Sequence, residues 1–164
     1  MQVAIVSDSH VPSREPAIPD WALARMRRAD HVIHAGDFDT SRALATVRSA
    51  SQRLTAVAGN TDPRSLGLPA VETVTLGGVE FVVTHGSGSR RDYERRVARI
   101  VAEHAGEGPT VGVAGHTHEL FEEFVDGVRL LNPGSVTGAA PAEEATMVTA
   151  EVADGTIDVT VHRT

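Results

Sequence analysis

The stretch Met1-Gln2-Val3-Ala4-Ile5-Val6-Ser7-Asp8-Ser9-His10 opens the sequence, and its reading sets the frame for the rest. Val3 to Ser7 is a short, nearly continuous apolar run, the pattern of a strand buried on both faces. The run ends on two side chains that can hold a metal, Asp8 and His10. No basic residue precedes the acid at position 8, so the segment reads as a first strand and not as a signal peptide. A cytoplasmic location is the corresponding expectation.

Outward from that strand the rhythm repeats. Pro19 opens a helix to about Arg28, with Trp21, Leu23, Ala24 and Met26 as its apolar members; proline at the first turn removes an N–H that has no partner there. His31 to Ala35 reads as a second strand. Ser41 to Ala50 is a helix carrying Leu44 and Val47, and Leu54 to Ala58 is a third strand. This β-α-β-α-β order predicts a parallel sheet with helices packed on it. The second half changes character. Val71 to Leu76 and Val79 to Thr84 flank Gly77-Gly78 as a hairpin. Ser89-Arg90-Arg91-Asp92 has the form of a capping box. The helix behind it places Tyr93, Val97, Ile100, Val101 and His104 on one face. Val111 to Ala114 is another strand, and two more hairpins turn on Asp126-Gly127 and Asp154-Gly155. Gly138 to Glu144 reads as a surface loop. No internal repeat or linker interrupts residues 1–164. The expectation is one α/β domain, with a partly parallel N-terminal sheet facing a more antiparallel C-terminal one.

The chemistry lies where the strands end. In chain order the ends deliver Asp8-Ser9-His10, Gly36-Asp37, Gly59-Asn60, His85-Gly86 and Gly115-His116-Thr117-His118. Sites in α/β sheets form beyond the carboxyl ends of strands. Taken singly, each of these is an ordinary turn or a hydrogen-bonded histidine. Together they supply two carboxylates, one amide and four imidazoles. That is too many ligands for one four-coordinate zinc. It suits two six-coordinate ions about 3.5–4 Å apart that share a carboxylate and a hydroxide.

Composition narrows the choice. The chain has 164 residues and no cysteine, so any metal must be held by His, Asp, Glu and Asn. Mn²⁺, Fe²⁺, Ni²⁺ and Zn²⁺ all fit such donors. The net charge is −7, and all 15 basic residues are arginine. An acidic chain without a basic stripe argues against an extended nucleic-acid surface. No apolar run approaches the ~18 residues of a membrane span.

The set Asp8-x-His10, Gly36-Asp37, Gly59-Asn60, His85-Gly86 and Gly115-His116-x-His118 resembles the calcineurin-like metallophosphoesterase superfamily. Gly59-Asn60-Thr61-Asp62, Asn132-Pro133-Gly134-Ser135 and the short length are similar to its small bacterial and archaeal phosphodiesterase branch. The resemblance spans essentially the whole chain. It implies a four-layer α/β/β/α sandwich of two mixed sheets flanked by helices. It further implies that Asp8, His10, Asp37 and His118 hold one metal, and that Asp37, Asn60, His85 and His116 hold the other. Manganese is the first candidate for both. The expected activity is hydrolysis of a small phosphodiester by a metal-bridging hydroxide, with Asp37, Asn60 and His85 as the candidate catalytic residues. One departure stands out: many members carry a histidine directly after the Gly-Asn pair, where this chain has Thr61. Ser87 likewise stands where the branch often has another histidine.

Other residues read more plainly. His34 is expected to be buried and hydrogen-bonded, and His31, His104 and His162 structural or exposed. Asp39 and Asp62 are placed to orient ligating rings or to close turns. Arg90, Arg91, Arg95, Arg96 and Arg99 read as a solvated helix face, with a phosphate clamp as the functional alternative; Arg64 is a similar candidate. Ser135 closes the Asn-Pro-Gly turn. Two rival functions are open: a protein-binding scaffold on the family fold with little catalysis, and a phosphomonoesterase. No membrane partner is expected, and association of like chains is left open.

Overall fold

The computed structural model describes residues 1–164. One five-stranded sheet has β1 (Gln2–Val6), β2 (His31–His34) and β3 (Leu54–Ala56) running parallel, with β9 (Thr146–Ala153) antiparallel beside β1 and β10 (Thr156–Arg163) antiparallel to β9 at the edge. The other has the order β4 (Val71–Leu76), β5 (Val79–Thr84), β6 (Thr110–Val113), β8 (Val128–Pro133), β7 (Leu120–Val125), with β5, β6 and β8 mutually parallel.

Alternation along the strands builds the layers. Val3 and Ile5 face inward and pack with Phe81, Val83, Val111, Val113 and Leu131 of the second sheet. Ala4 and Val6 face outward onto α1 (Asp20–Arg28) and α2 (Ser41–Ser49), against Ala22, Met26 and Val47. Val82 and Leu130 take the outer face of the second sheet, under Tyr93, Val97 and Val101 of α3 (Tyr93–His104). A period of two thus feeds two cores from one strand, and the result is the expected α/β/β/α sandwich.

Three expectations need correction. The C-terminal hairpin belongs to the first sheet and not to the second. Val148, Ala150 and Val152 of β9 complete the apolar layer between the sheets, and Gln2 pairs with Glu151. Both sheets are therefore mixed. β3 is shorter than expected, because the Ala58 N–H leaves the ladder for the Pro69 carbonyl at 2.8 Å. The capping box before α3 does not form. Ser89 Oγ accepts from Arg91 N at 3.0 Å, and Asp92 at φ 54° starts the helix with no side-chain cap. His104 is exposed at the end of α3. The three hairpin turns, at Gly77-Gly78, Asp126-Gly127 and Asp154-Gly155, lie where expected, each with two positive φ angles. No helix is long and apolar enough to cross a membrane.

Candidate metal centre

β1, β2, β5 and β6 all finish at one edge of the sandwich, and the loops there interlock through backbone hydrogen bonds. Asp8 N donates to the Gly36 carbonyl at 3.0 Å, His10 N to the Asp37 carbonyl at 3.1 Å, and Gly115 N to the His85 carbonyl at 3.1 Å. Asp8, His10, Asp37, His116 and His118 all sit at φ between 46° and 74°. A left-handed conformation is costly away from glycine and persists only where the surroundings over-determine it. Close approach also requires Gly36, where a Cβ would lie 2.7 Å from Gly59 N and 2.9 Å from His85 Nδ1.

Five of the seven sequence candidates converge. Asp8, His10 and His118 form one triad of ligating atoms, and Asp8, Asp37 and His85 a second. Asp8 Oδ1 lies 3.2 Å from His118 Nε2, 3.7 Å from His10 Nε2 and 3.8 Å from His85 Nε2. Asp37 Oδ2 lies 3.1 Å from His85 Nε2 and 3.4 Å from His10 Nε2. Each ring is held from behind. His10 Nδ1 donates to Asp39 Oδ1 at 3.0 Å, His85 Nδ1 to the Ala35 carbonyl at 2.6 Å and His118 Nδ1 to the Ala139 carbonyl at 2.8 Å. Those bonds place the proton on Nδ1 and leave each Nε2 lone pair facing inward, the arrangement that metal-ligating histidines use. His10 Nε2 and His118 Nε2 are only 3.2 Å apart.

Asn60 and His116 stand at the rim as a pair, His116 Nδ1 meeting Asn60 Oδ1 at 3.1 Å. His116 Nε2 donates to the Gly88 carbonyl at 2.7 Å.

The donor set fits a cation. Asp8 Oδ1 and His85 Nε2 are buried and lack an aligned hydrogen-bond partner, an expensive condition for a carboxylate and an imidazole unless something positive lies between them. Burial alone would raise the Asp8 carboxyl, but the neighbouring His10 and His118 rings and the charge on His85 outweigh it. The group lies far below the usual carboxylate range. Burial alone would lower His85, but the Asp37 carboxylate and the Asp8 charge lift it to about 8. Two carboxylates and converging imidazoles thus demand positive charge, from protons or from metal.

Several supporting residues carried no clear signal in the sequence. Asp62 accepts from four backbone N–H groups: those of Asp37 and Gly59 on Oδ2, and those of Phe38 and Asp39 on Oδ1. It therefore staples two candidate loops together and orients no ring. Asp39 does orient one, and Thr61 Oγ1 donates to it at 2.5 Å. Ser135 Oγ, expected to close its turn, instead donates to the Asp8 carbonyl at 2.8 Å. Asn132 Nδ2 donates to the Gly115 carbonyl at 3.0 Å and to Thr117 Oγ1 at 3.1 Å, fixing the turn that carries His116 and His118. The 138–144 loop is not wholly surface: Ala139 is buried against His118. His34 is buried as expected, with Nδ1 accepting from Gly36 N at 3.1 Å and Nε2 2.7 Å from Ser9 Oγ.

Comparison with known proteins bears on the family and the fold. A probable metallophosphoesterase of Methanothermobacter thermautotrophicus is 29% identical over 150 residues, covering 90% of this chain and 84% of its own. A phosphodiesterase of Methanocaldococcus jannaschii is 26% identical over 153 residues, covering 84% and 86%. Among solved structures, Vps29 of Chaetomium thermophilum matches with a TM-score of 0.79 and 19% identity, over 100% of this chain and 93% of its own, a likeness of fold. Residues 1–155 match the model of the calcineurin-like phosphoesterase superfamily domain. The chain belongs to that superfamily, a family of metal-dependent phosphoesterases.

Proposed function

We propose that this chain is a phosphodiesterase that works with two divalent cations, manganese being the first candidate. The observation that carries the reading is the inward convergence of three Nε2 lone pairs on two buried carboxylates, each ring locked by an acceptor behind it. When bound, the metal pair supplies a water of lowered pKa and positive charge for the phosphoryl oxygens.

The chain's own residues do the positioning. Asp8, His10 and His118 make one ligand group; Asp37 and His85 reach toward the other, with Asn60 and His116 as its rim members. Asp8 and Asp37 touch rings of both groups, so either carboxylate can be shared. Thr61 is not free to act as an acid, since its hydroxyl is given to Asp39 and its N–H to Asp37 Oδ1 at 2.9 Å. The leaving oxygen must therefore depart largely as an anion. Beside His118 lies a depression of about 360 Å³ lined by Glu119, Glu143, Glu144 and Arg163, in which Arg163 pairs with Glu144 and Arg90 reaches Glu119.

The test is kcat/KM of the metal-reconstituted protein on diesters graded by leaving-group pKa, with aryl monoesters alongside. Aryl diesters should turn over and simple alkyl diesters much more slowly, the gap narrowing in Thr61→His if the ring reaches the leaving oxygen. Faster turnover of monoesters would move the assignment to a phosphomonoesterase. Absence of turnover with metal bound would leave the chain a scaffold on the family fold.

A further inference from the structure

Between His85 and α3 the chain runs through Gly86-Ser87-Gly88-Ser89, largely exposed. Arg96, in the first turns of α3, folds its guanidinium back onto this loop. Nη1 donates to the carbonyls of Ser87 at 2.7 Å and Gly86 at 3.2 Å, and Nη2 to that of Ser89 at 2.7 Å. The Gly88 carbonyl is the odd one out. It points the other way and accepts from His116 Nε2. That division needs backbone that L-residues avoid, and Gly86 and Gly88 have φ of 80° and 118°. At Gly86 a Cβ would also lie 2.6 Å from the Tyr93 ring. The guanidinium stands 5.9 Å from the centre of that ring, whose hydroxyl donates to the Gly115 carbonyl next to His116.

We infer that Arg96 is a positioning residue for the rim cation: it holds the Gly86–Ser89 loop so that the Gly88 carbonyl fixes the His116 ring with Nδ1 turned to Asn60. The inference rests on the two-cation reading above. A histidine binds metal through a lone pair, and a hydrogen bond from the other nitrogen decides which lone pair is offered. Both ring nitrogens face oxygen acceptors; the shorter contact, 2.7 Å to the Gly88 carbonyl against 3.1 Å to Asn60 Oδ1, favours the His116 proton on Nε2 and leaves Nδ1 and Asn60 Oδ1 as two lone pairs for a cation. Without Arg96 the loop carbonyls return to water, the Gly88 peptide is free to turn, and the ring can rotate or change tautomer. A planar fork spans several carbonyls where a lysine ammonium, a point charge, cannot. Three of the five N–H donors of Arg96 are given to backbone carbonyls, which ties its fork to the loop. Arg90 is committed in a similar way, donating to the Thr117 carbonyl at 2.8 Å.

Mn²⁺ titration of chelator-treated protein by calorimetry tests this, comparing wild type, Arg96→Met, Arg96→Lys and Arg99→Met, the last an exposed position on the same helix. Arg96→Met should leave the tighter ion within about twofold and weaken the other about tenfold, the low end for loss of an outer ligand support. Arg96→Lys should fall between, and Arg99→Met should match wild type. Nitrogen-15 spectra of the histidine rings should show His116 as the Nε2–H tautomer in wild type and as a mixture in Arg96→Met. If wild type takes two ions and Arg96→Met takes both with unchanged affinity, or loses both equally, the inference is overturned while the two-cation reading stands. Wild type taking fewer than two overturns both. Should Arg96→Met fail to fold, Arg96→Lys decides: second-ion affinity equal to wild type rejects the inference, and selective loss supports it.

Discussion

Replacing Asp62 by asparagine exchanges one carboxylate oxygen for an NH₂ group and changes almost no volume. Oδ1 accepts from Phe38 N at 2.8 Å and Asp39 N at 2.9 Å; Oδ2 accepts from Asp37 N at 2.9 Å and Gly59 N at 2.8 Å. Whichever way the amide turns, its NH₂ faces two backbone donors, and those two bonds are lost. A hydrogen bond to a charged group contributes about 1.5–3 kcal/mol net. Two lost at the low end give roughly 3 kcal/mol, and the remaining pair weakens as its acceptor loses its charge. The backbone these bonds hold is strained: Asp37 and Asp39 sit at φ 63° and 80°. Relaxation there recovers some energy but moves Asp37 out of place. The expected cost of Asp62→Asn is about 3–4 kcal/mol, a fall in Tm of roughly 6–16 °C for a chain of this length. Urea and thermal unfolding in EDTA measure it, with Asp158→Asn on the exposed edge strand β10 as control. Mn²⁺ affinity should fall alongside. A loss under about 1 kcal/mol would refute the reasoning, since the four N–H groups would then be satisfied by water and Asp62 would be only a turn residue.

Two further expectations concern the unmutated chain. Mn²⁺ at about a hundredfold its Kd should add about 2.7 kcal/mol of stability by mass action, read as a rise in Tm of roughly 5–11 °C; coincident melting curves in EDTA and in excess Mn²⁺ would reject the site. Burial holds His34 down at about 3 although Asp8 pushes the other way, whereas an unfolded imidazole takes its proton near about 6.5. The unfolded chain therefore binds more protons between those values, so the stability from neutral His34 is complete above pH ~6.5 and is lost as pH falls toward ~3. Tm in EDTA should decline over that window, and less steeply in His34→Gln; identical slopes for the two proteins would contradict this.

The strand-and-loop frame was legible because each element states itself locally. Alternation marks strands such as Val79–Thr84, paired glycines or Asp-Gly mark turns, and chemically useful residues stand at strand ends. The destination of the C-terminal hairpin was not legible. Val148, Ala150 and Val152 present an apolar face that would suit either sheet, and only the docking of Gln2 beside Glu151 decides between them. The site shows the same division. All seven candidates could be named from spacing, but spacing says nothing of Asn60 and His116 standing apart as a pair. Asp62, Asn132, Ser135 and Arg96 were under-read for one shared reason. Each acts on backbone N–H or C=O groups of a loop brought near by folding, and a backbone partner leaves no trace in residue type.

Those backbone bonds explain how so much strain and like charge can be kept in one place. The parallel strands of both sheets, β1 with β2 and β3, and β5 with β6, point their carboxyl ends at the same edge of the sandwich. Five loops are thereby delivered side by side, each needing tight, left-handed turns to bring its side chain inward. The turns would relax if they stood alone. They are held because a polar group from a different loop meets nearly every one: Ser135 at Asp8, Asp62 at Asp37, Asn132 at Gly115, and the Gly88 carbonyl at His116. Since each fastening joins two loops, losing one should displace ligands on both. Single substitutions well outside the seven candidate ligands are therefore expected to reach the metal, while the apolar layers between and outside the sheets set only how firmly the frame stands.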